Sequence, residues 1–138
     1  MGGGGGGVEY RAQRLEDRLG WAEPAYRSRG EAQVGRVLDR YGIPALYEQA
    51  TPIYVRGRWR TWRPDFTLPS YDHLIVEYAG MPDRSDYVAG LRVKRDAYVQ
   101  NGRPAVFIYP HDLRGPAWPL RMVAKIDRAY GRRSAYRG

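Results

Sequence analysis

The period of the apolar positions changes several times along this chain, and each change marks an element. From Arg58 to Gly80 the sequence RWRTWRPDFTLPSYDHLIVEYAG predicts two short strands joined by a turn at Leu68-Pro69-Ser70-Tyr71-Asp72. The first ends in Pro64-Asp65-Phe66, and the second, Leu74-Ile75-Val76-Glu77-Tyr78, carries an acid at the end of an apolar run. Side chains alternate faces along a strand. Asp65 is therefore expected on the face of Trp59, Thr61 and Arg63, and Glu77 on that of Ile75 and Ala79. Ala45–Ala50 and Ile53–Arg56 also read as strands, with Arg56-Gly57 turning a hairpin into Arg58–Phe66. Ala105–Tyr109 is wholly apolar, as expected of a central strand covered on both faces.

Elsewhere the period is helical. Residues 8–19 carry a thin stripe of Val8, Ala12, Leu15 and Leu19. Ser28-Arg29-Gly30-Glu31 opens a helix to about Arg40, with Val34, Val37, Leu38 and Tyr41 apolar and a stop at Gly42-Ile43-Pro44. A long helix is expected over Ser85–Gln100 and a last one over Trp118–Tyr130, where Lys125 falls on the outer side and receives no role.

Two polar residues sit where these stripes should be apolar. In the Ser85–Gln100 helix, Tyr87, Leu91, Lys94 and Tyr98 share one face. An ammonium sent unpaired into an interior costs several kcal/mol, so Lys94 needs an anionic neighbour, unless its head snorkels to water. With Asp65 and Glu77 at the sheet edge, Lys94 is expected to face those acids. Glu31 lies on the Val34–Leu38 side of its helix, yet Ser28-x-x-Glu31 also matches a capping box; both readings stay open. If the two strands pair, Asp65 and Glu77 come side by side. Two bare carboxylates about 4 Å apart repel by about 4 kcal/mol at an effective dielectric near 20. A shared proton or a hard divalent cation relieves that repulsion.

Composition narrows the chemistry. The 138 residues are 43% hydrophobic, enough for one modest core in one domain. Cysteine is absent, which excludes thiol nucleophiles and zinc-thiolate sites. With no apolar run near 18 residues and an N-terminal glycine run unlike a signal peptide, a cytoplasmic protein is expected. His73 and His111 lack ligand-like spacing, and no G-x-S-x-G, P-loop or G-x-G-x-x-G occurs. The formal net charge of +8 points to a polyanionic partner. Arginine supplies every basic residue except Lys94 and Lys125. The hairpin interleaves Arg56, Arg58, Arg60 and Arg63 with Tyr54, Trp59 and Trp62, a mixture suited to phosphates and exposed bases; the plainer expectation is tryptophans packed on the core and arginines in solvent.

The order of these pieces resembles the PD-(D/E)xK nuclease superfamily. The resemblance spans about residues 28–130 and rests on RPDFTLPSYDHLIVEYAG, the helix VKRDAYVQNG and the strand AVFIYPHDL. It implies an α/β, restriction-endonuclease-like core: a central mixed sheet of about four to five strands flanked by helices, in the order α-β-β-β-α-β-α. Residues 1–7 would form a glycine tail, 8–27 an N-terminal helix or arm, and 131–138 a basic tail. One departure matters: the family's lysine two residues after the second acid is Ala79 here. Some members carry that lysine on the next helix, where Lys94 stands.

Carried over, the resemblance implies a Mg²⁺- or Mn²⁺-dependent DNA endonuclease. Asp65, Glu77 and the backbone carbonyl of Tyr78 would hold the metal. Glu31 would act through a metal-bound water or as a further ligand, and Lys94 would orient the attacking water. Arg27, Arg29, Arg56, Arg58, Arg60, Arg63 and Arg95 would contact duplex or branched DNA. Small basic members include Holliday junction resolvases, for which a homodimer is expected. The alternatives are a catalytically silent DNA-binding module and a restriction or transposition subunit that cuts only with a partner.

Overall fold

A computed structural model describes residues 23–137, with side chains described as far as Gly131. The expected helix over 8–19 and most of the expected N-terminal arm lie outside the described residues. The described chain runs α1 (Arg29–Arg40), β1 (Leu46–Tyr47), β2 (Thr51–Val55), β3 (Arg58–Trp62), β4 (Phe66–Leu68), β5 (Leu74–Tyr78), α2 (Ser85–Gln100), β6 (Ala105–Ile108) and α3 (Trp118–Arg137). Short 3₁₀ turns at Pro69–Tyr71 and Pro110–Leu113 complete it. The fold is α/β.

Four strands form a mixed sheet in the order β1-β4-β5-β6. β4 lies antiparallel to β1 and β5, whereas β5 and β6 run parallel through α2. The alternation of β5 sorts its side chains onto two cores. Leu74 and Val76 join Phe66, Leu68, Val106 and Ile108 against Val34 and Leu38 of α1 and Met122 and Ile126 of α3. Ile75 and Ala79 join Phe107 against Leu91, Ala97 and Tyr98 of α2 and Ile53 of β2. Both faces are covered, which is why β5 and β6 read as unbroken apolar runs.

The segment from Arg58 to Phe66 is not the single strand its pattern predicts. β3 pairs with β2 in a separate two-stranded ribbon, and the main sheet is entered only at Phe66. Pro64, buried between them, has no N–H to give to a ladder and restricts the residue before it. Asp65 therefore does not share a strand face with Trp59, Thr61 and Arg63. The turn at Arg56-Gly57 is as expected, both residues having positive φ (52° and 77°) that suits a tight hairpin.

The last helix continues past Tyr130 to Arg137, through most of the segment expected to be a basic tail. Lys125 is also not an idle outer residue. Its Nζ donates to the Phe107 carbonyl (2.7 Å) and to Asp112 Oδ2 (2.9 Å), tying the rim strand β6 and the turn after it to α3. Burial opposes ionisation of Asp112, but the Tyr109 N–H and Lys125 hold its carboxyl below the usual range.

Candidate active site

One step beyond the antiparallel pair Phe66–Val76, Asp65 comes opposite Glu77. The two residues grip each other through backbone and side chain. The Asp65 N–H donates to Glu77 Oε1 (3.2 Å), and the Tyr78 N–H donates to Asp65 Oδ2 (2.7 Å). Pro64 aids this by ending the ribbon, so the Asp65 backbone is free of the β2–β3 ladder and its carbonyl accepts from the Glu48 N–H (3.0 Å).

Glu77 is only 3% exposed. A carboxylate so placed needs partners. The Tyr98 hydroxyl donates to its Oε2 (2.5 Å), and Lys94 Nζ lies 3.5 Å from the same oxygen. Lys94 and Tyr98 are four residues apart on α2 and so project from one face. The lysine side chain is 40% exposed against 4% for that of Glu77, so the amine bridges a buried acid to solvent. Thr61, Trp62, Arg63, Glu77, Lys94 and Tyr98 line an open cleft of about 330 Å³ there.

Asp65 is strongly perturbed. Burial and the adjacent Glu77 charge, against the pull of the Tyr78 N–H, push its carboxyl up to about 7; Glu31 adds to the rise. The Tyr98 hydroxyl is pushed far up by burial and by the charge and hydrogen bond of Glu77, so it stays protonated as a donor.

Glu31 answers its two readings in halves. Its N–H donates to Ser28 Oγ (3.1 Å), which caps α1. Its carboxylate accepts from the Tyr47 hydroxyl, whose oxygen in turn accepts from the Arg27 N–H (2.9 Å). Among the described residues no group of three or more His, Cys, Asp or Glu is gathered as a metal-ligand cluster, while the Glu31 charge reaches Asp65 and helps raise its carboxyl.

The donor set that remains, two carboxylates with a neighbouring backbone carbonyl at Tyr78, is all oxygen and suits Mg²⁺ or Mn²⁺. The repulsion that raises Asp65 is what a divalent cation would relieve, so the residues fit the group. Gly30 matters to this corner: a Cβ there would come 2.1 Å from the Tyr78 ring, which packs on the first turn of α1.

The arginines separate into two sets. Arg27 is salt-bridged to Glu48 (2.7 Å), Arg63 donates to the Glu48 carbonyl (3.2 Å), and Arg95 lies over the Phe107 ring (4.8 Å) and donates to the Tyr109 hydroxyl. Arg29, Arg56, Arg58 and Arg60 are exposed. Of the hairpin aromatics, Trp62 packs edge-on against Tyr98 (5.7 Å) while Trp59 stays outside.

The sequence reading gave no site role to Tyr98 or Tyr47, and set Trp62 only among the hairpin aromatics, for bases or for the core. Tyr98 carried a signal, a phenol in the same apolar stripe as the anomalous lysine. Tyr47 had none, because its contact with Glu31 depends on how β1 docks beside α1. No family model, curated protein or solved structure matches the chain.

Proposed function

We propose that this protein is a metal-dependent DNA endonuclease of the PD-(D/E)xK type, its lysine supplied by α2. The observation that carries the reading is the placement of Glu77, at the end of β5, between Lys94 of α2, 3.5 Å away across the cleft, and Asp65, just ahead of β4, whose N–H donates to the Glu77 carboxylate. The sheet order, with one acid just ahead of β4, the other near the end of the paired β5, and a β-α-β crossover after the second, is compatible with a restriction-endonuclease-like core. The net charge of +8 supports DNA as the partner.

Asp65, Glu77 and the Tyr78 carbonyl would hold Mg²⁺ or Mn²⁺, which when bound polarises a phosphate and lowers the pKa of water. Tyr98 fixes Glu77 Oε2, so the carboxylate keeps its orientation when substrate enters. Lys94, at the mouth of the cleft, donates to the attacking water or to a non-bridging phosphate oxygen and offsets charge as it grows in the transition state. Glu31, held by Tyr47, adds negative potential that favours a cation beside Asp65. Phosphates along the strand are met by Arg58 and Arg60.

A second reading is a DNA-binding protein of the same fold that does not cut. It is favoured by the engagement of the Glu31 carboxylate with the Tyr47 hydroxyl. Incubating the protein with labelled linear duplex, single strand, nicked duplex and four-way junction in Mg²⁺, Mn²⁺ or EDTA decides between them. Cleavage that needs the metal and disappears in Asp65→Ala and Glu77→Ala is expected. Binding without cleavage of every substrate selects the second reading, and cleavage that persists in EDTA removes the metal site. Paired symmetric nicks at the junction would narrow the activity to a dimeric resolvase.

A further inference from the structure

The β2–β3 ribbon has one face that the main sheet and α2 do not use. Its register sets Tyr54 opposite Trp59 and Pro52 opposite Thr61, all four exposed, while Thr51 and Ile53 on the other face are buried. Trp59 is 68% exposed and Tyr54 48%. Their rings meet edge to face with centroids 5.3 Å apart. An edge-on contact leaves a broad face of the indole uncovered. A tryptophan left this open on a regular strand costs stability that a packed one would return.

The ribbon is held still. The Tyr54 N–H donates to Asn101 Oδ1 (2.8 Å), and Asn101 Nδ2 donates back to the Tyr54 carbonyl (2.9 Å). Asn101 caps the C-terminal end of α2 and also donates to the Ala97 carbonyl (2.8 Å), so the clamp joins the ribbon to the helix that carries Lys94. Ile53 is wholly buried beneath it. Arg56 stands at the hairpin turn beside the rings, Arg58 and Arg60 flank Trp59 along β3 from the alternate face, all three are exposed, and residues 51–62 include no acid.

A fixed aromatic face on a ribbon whose own charged residues are all arginines has the chemistry of a nucleic-acid stacking platform. We propose that Trp59, backed by Tyr54, stacks an unpaired base, and that the arginines of the ribbon hold the flanking phosphates. A continuous duplex hides its base faces in its own stack, so the platform selects single-stranded DNA and branched or gapped duplexes. Trp59 lies three residues along β3 from Trp62 at the acid cleft, about 10 Å of extended chain. The two rings face opposite sides of the ribbon, so a strand stacked on Trp59 reaches the cleft by crossing the ribbon's edge. The inference rests on DNA being the partner, as in the proposed function, but not on cleavage.

The test is binding in EDTA, where cutting cannot interfere. Fluorescence anisotropy at 50 mM salt with the full chain would compare a labelled oligo-dT, a blunt duplex and the same duplex carrying a short unpaired gap. Trp59→Ala is expected to weaken oligo-dT and gapped-duplex binding by about 10- to 100-fold and blunt-duplex binding by less than about 2-fold. Trp59→Phe should keep most of the affinity. Arg60→Ala should weaken all three ligands alike and lower the slope of log K against log salt by about 1.

Equal losses on all three DNAs in Trp59→Ala overturn the platform. So does unchanged oligo-dT affinity, including the case where Trp59→Ala instead dissociates a dimer and reveals a second copy of the chain as the occupant. A chain that binds oligo-dT through Trp59 yet never cuts DNA upholds the platform and removes only the nuclease.

Discussion

If Asp65 is forced toward neutrality by burial beside Glu77, replacing it with asparagine should stabilise the metal-free protein, and only at higher pH. Folded Asp65 holds its proton to about pH 7, while its ordinary value is 3.8. Between those values the folded state binds more protons than the unfolded one. Stability is therefore fully present below about pH 4 and is lost as pH rises through 7. From pH 5 to pH 8 about two pH units of that window are crossed, about 3 kcal/mol at 1.36 kcal/mol per unit. Asp65 is only partly buried, so solvent screens its charge, and its titration is coupled to that of Glu77, which lowers the expected change to about 1–2 kcal/mol. Asparagine is nearly isosteric, its Oδ1 can accept from the Tyr78 N–H, and its amide can donate to Glu77. Urea unfolding of Asp65→Asn in EDTA should match wild type within about 0.5 kcal/mol at pH 5 and exceed it by about 1–2 kcal/mol at pH 8. Added Mg²⁺ should raise the wild-type Tm at pH 8 and leave that of Asp65→Asn nearly unchanged. Equal destabilisation at both pH values would refute the reasoning, because Asp65 would then be an ordinary ionised, hydrogen-bonded carboxylate.

Other expectations test separate links. Lys94→Ala should lower kcat by about 10²- to 10³-fold with DNA affinity changed less than about 3-fold; single-turnover cleavage beside anisotropy reads both, and normal cutting with a large affinity loss would make Lys94 a binding residue. Gly30→Ala drives a methyl into the Tyr78 ring and should cost about 1–3 kcal/mol in urea unfolding, a loss much reduced in the Gly30→Ala/Tyr78→Ala double variant. Thr67 is fully buried with an unpartnered hydroxyl, so Thr67→Val should stabilise by about 1 kcal/mol and leave cleavage unchanged. Lys125→Met keeps the packed stem but orphans the Phe107 carbonyl and Asp112, which should cost about 1–3 kcal/mol by thermal or urea unfolding.

What the sequence made legible was local and periodic. The 3.6-residue spacing bounded α1 and α2, and it placed Lys94 on a face shared with Tyr98 before any partner was known. The two-residue period put Glu77 with Ile75 and Ala79, and the structure assigns Ile75 and Ala79 to one core. What escaped depended on sheet order and on docking. Lys125 looked idle because nothing in a linear pattern says that β6 ends the sheet, with a carbonyl needing a donor from α3. Tyr47 could not be linked to Glu31 without knowing that β1 lies beside β4. Pro64 was in plain view; its effect was underrated because the apolar alternation continues on either side of it.

The same proline explains why the acid pair can exist. Had Arg58–Phe66 been one strand of the main sheet, Asp65 would have been locked in a ladder. Its N–H would then go to a backbone carbonyl rather than to Glu77. Breaking the strand frees that N–H for a side chain and lets the Asp65 carboxylate accept in return from the Tyr78 N–H. The ribbon released by the break folds over α2, where Trp62 walls the cleft beside Lys94. Restoring the missing donor with Pro64→Ala should therefore do more than relax a turn. The buried ring is lost, at a cost of about 1–2 kcal/mol, and the chain gains freedom to extend β4 toward β3. If the break aligns the pair, Pro64→Ala should lower kcat at saturating Mg²⁺ and DNA more than its stability loss predicts at temperatures well below Tm. An unchanged kcat in that folded variant would mean that Asp65 and Glu77 are aligned by their mutual hydrogen bonds alone.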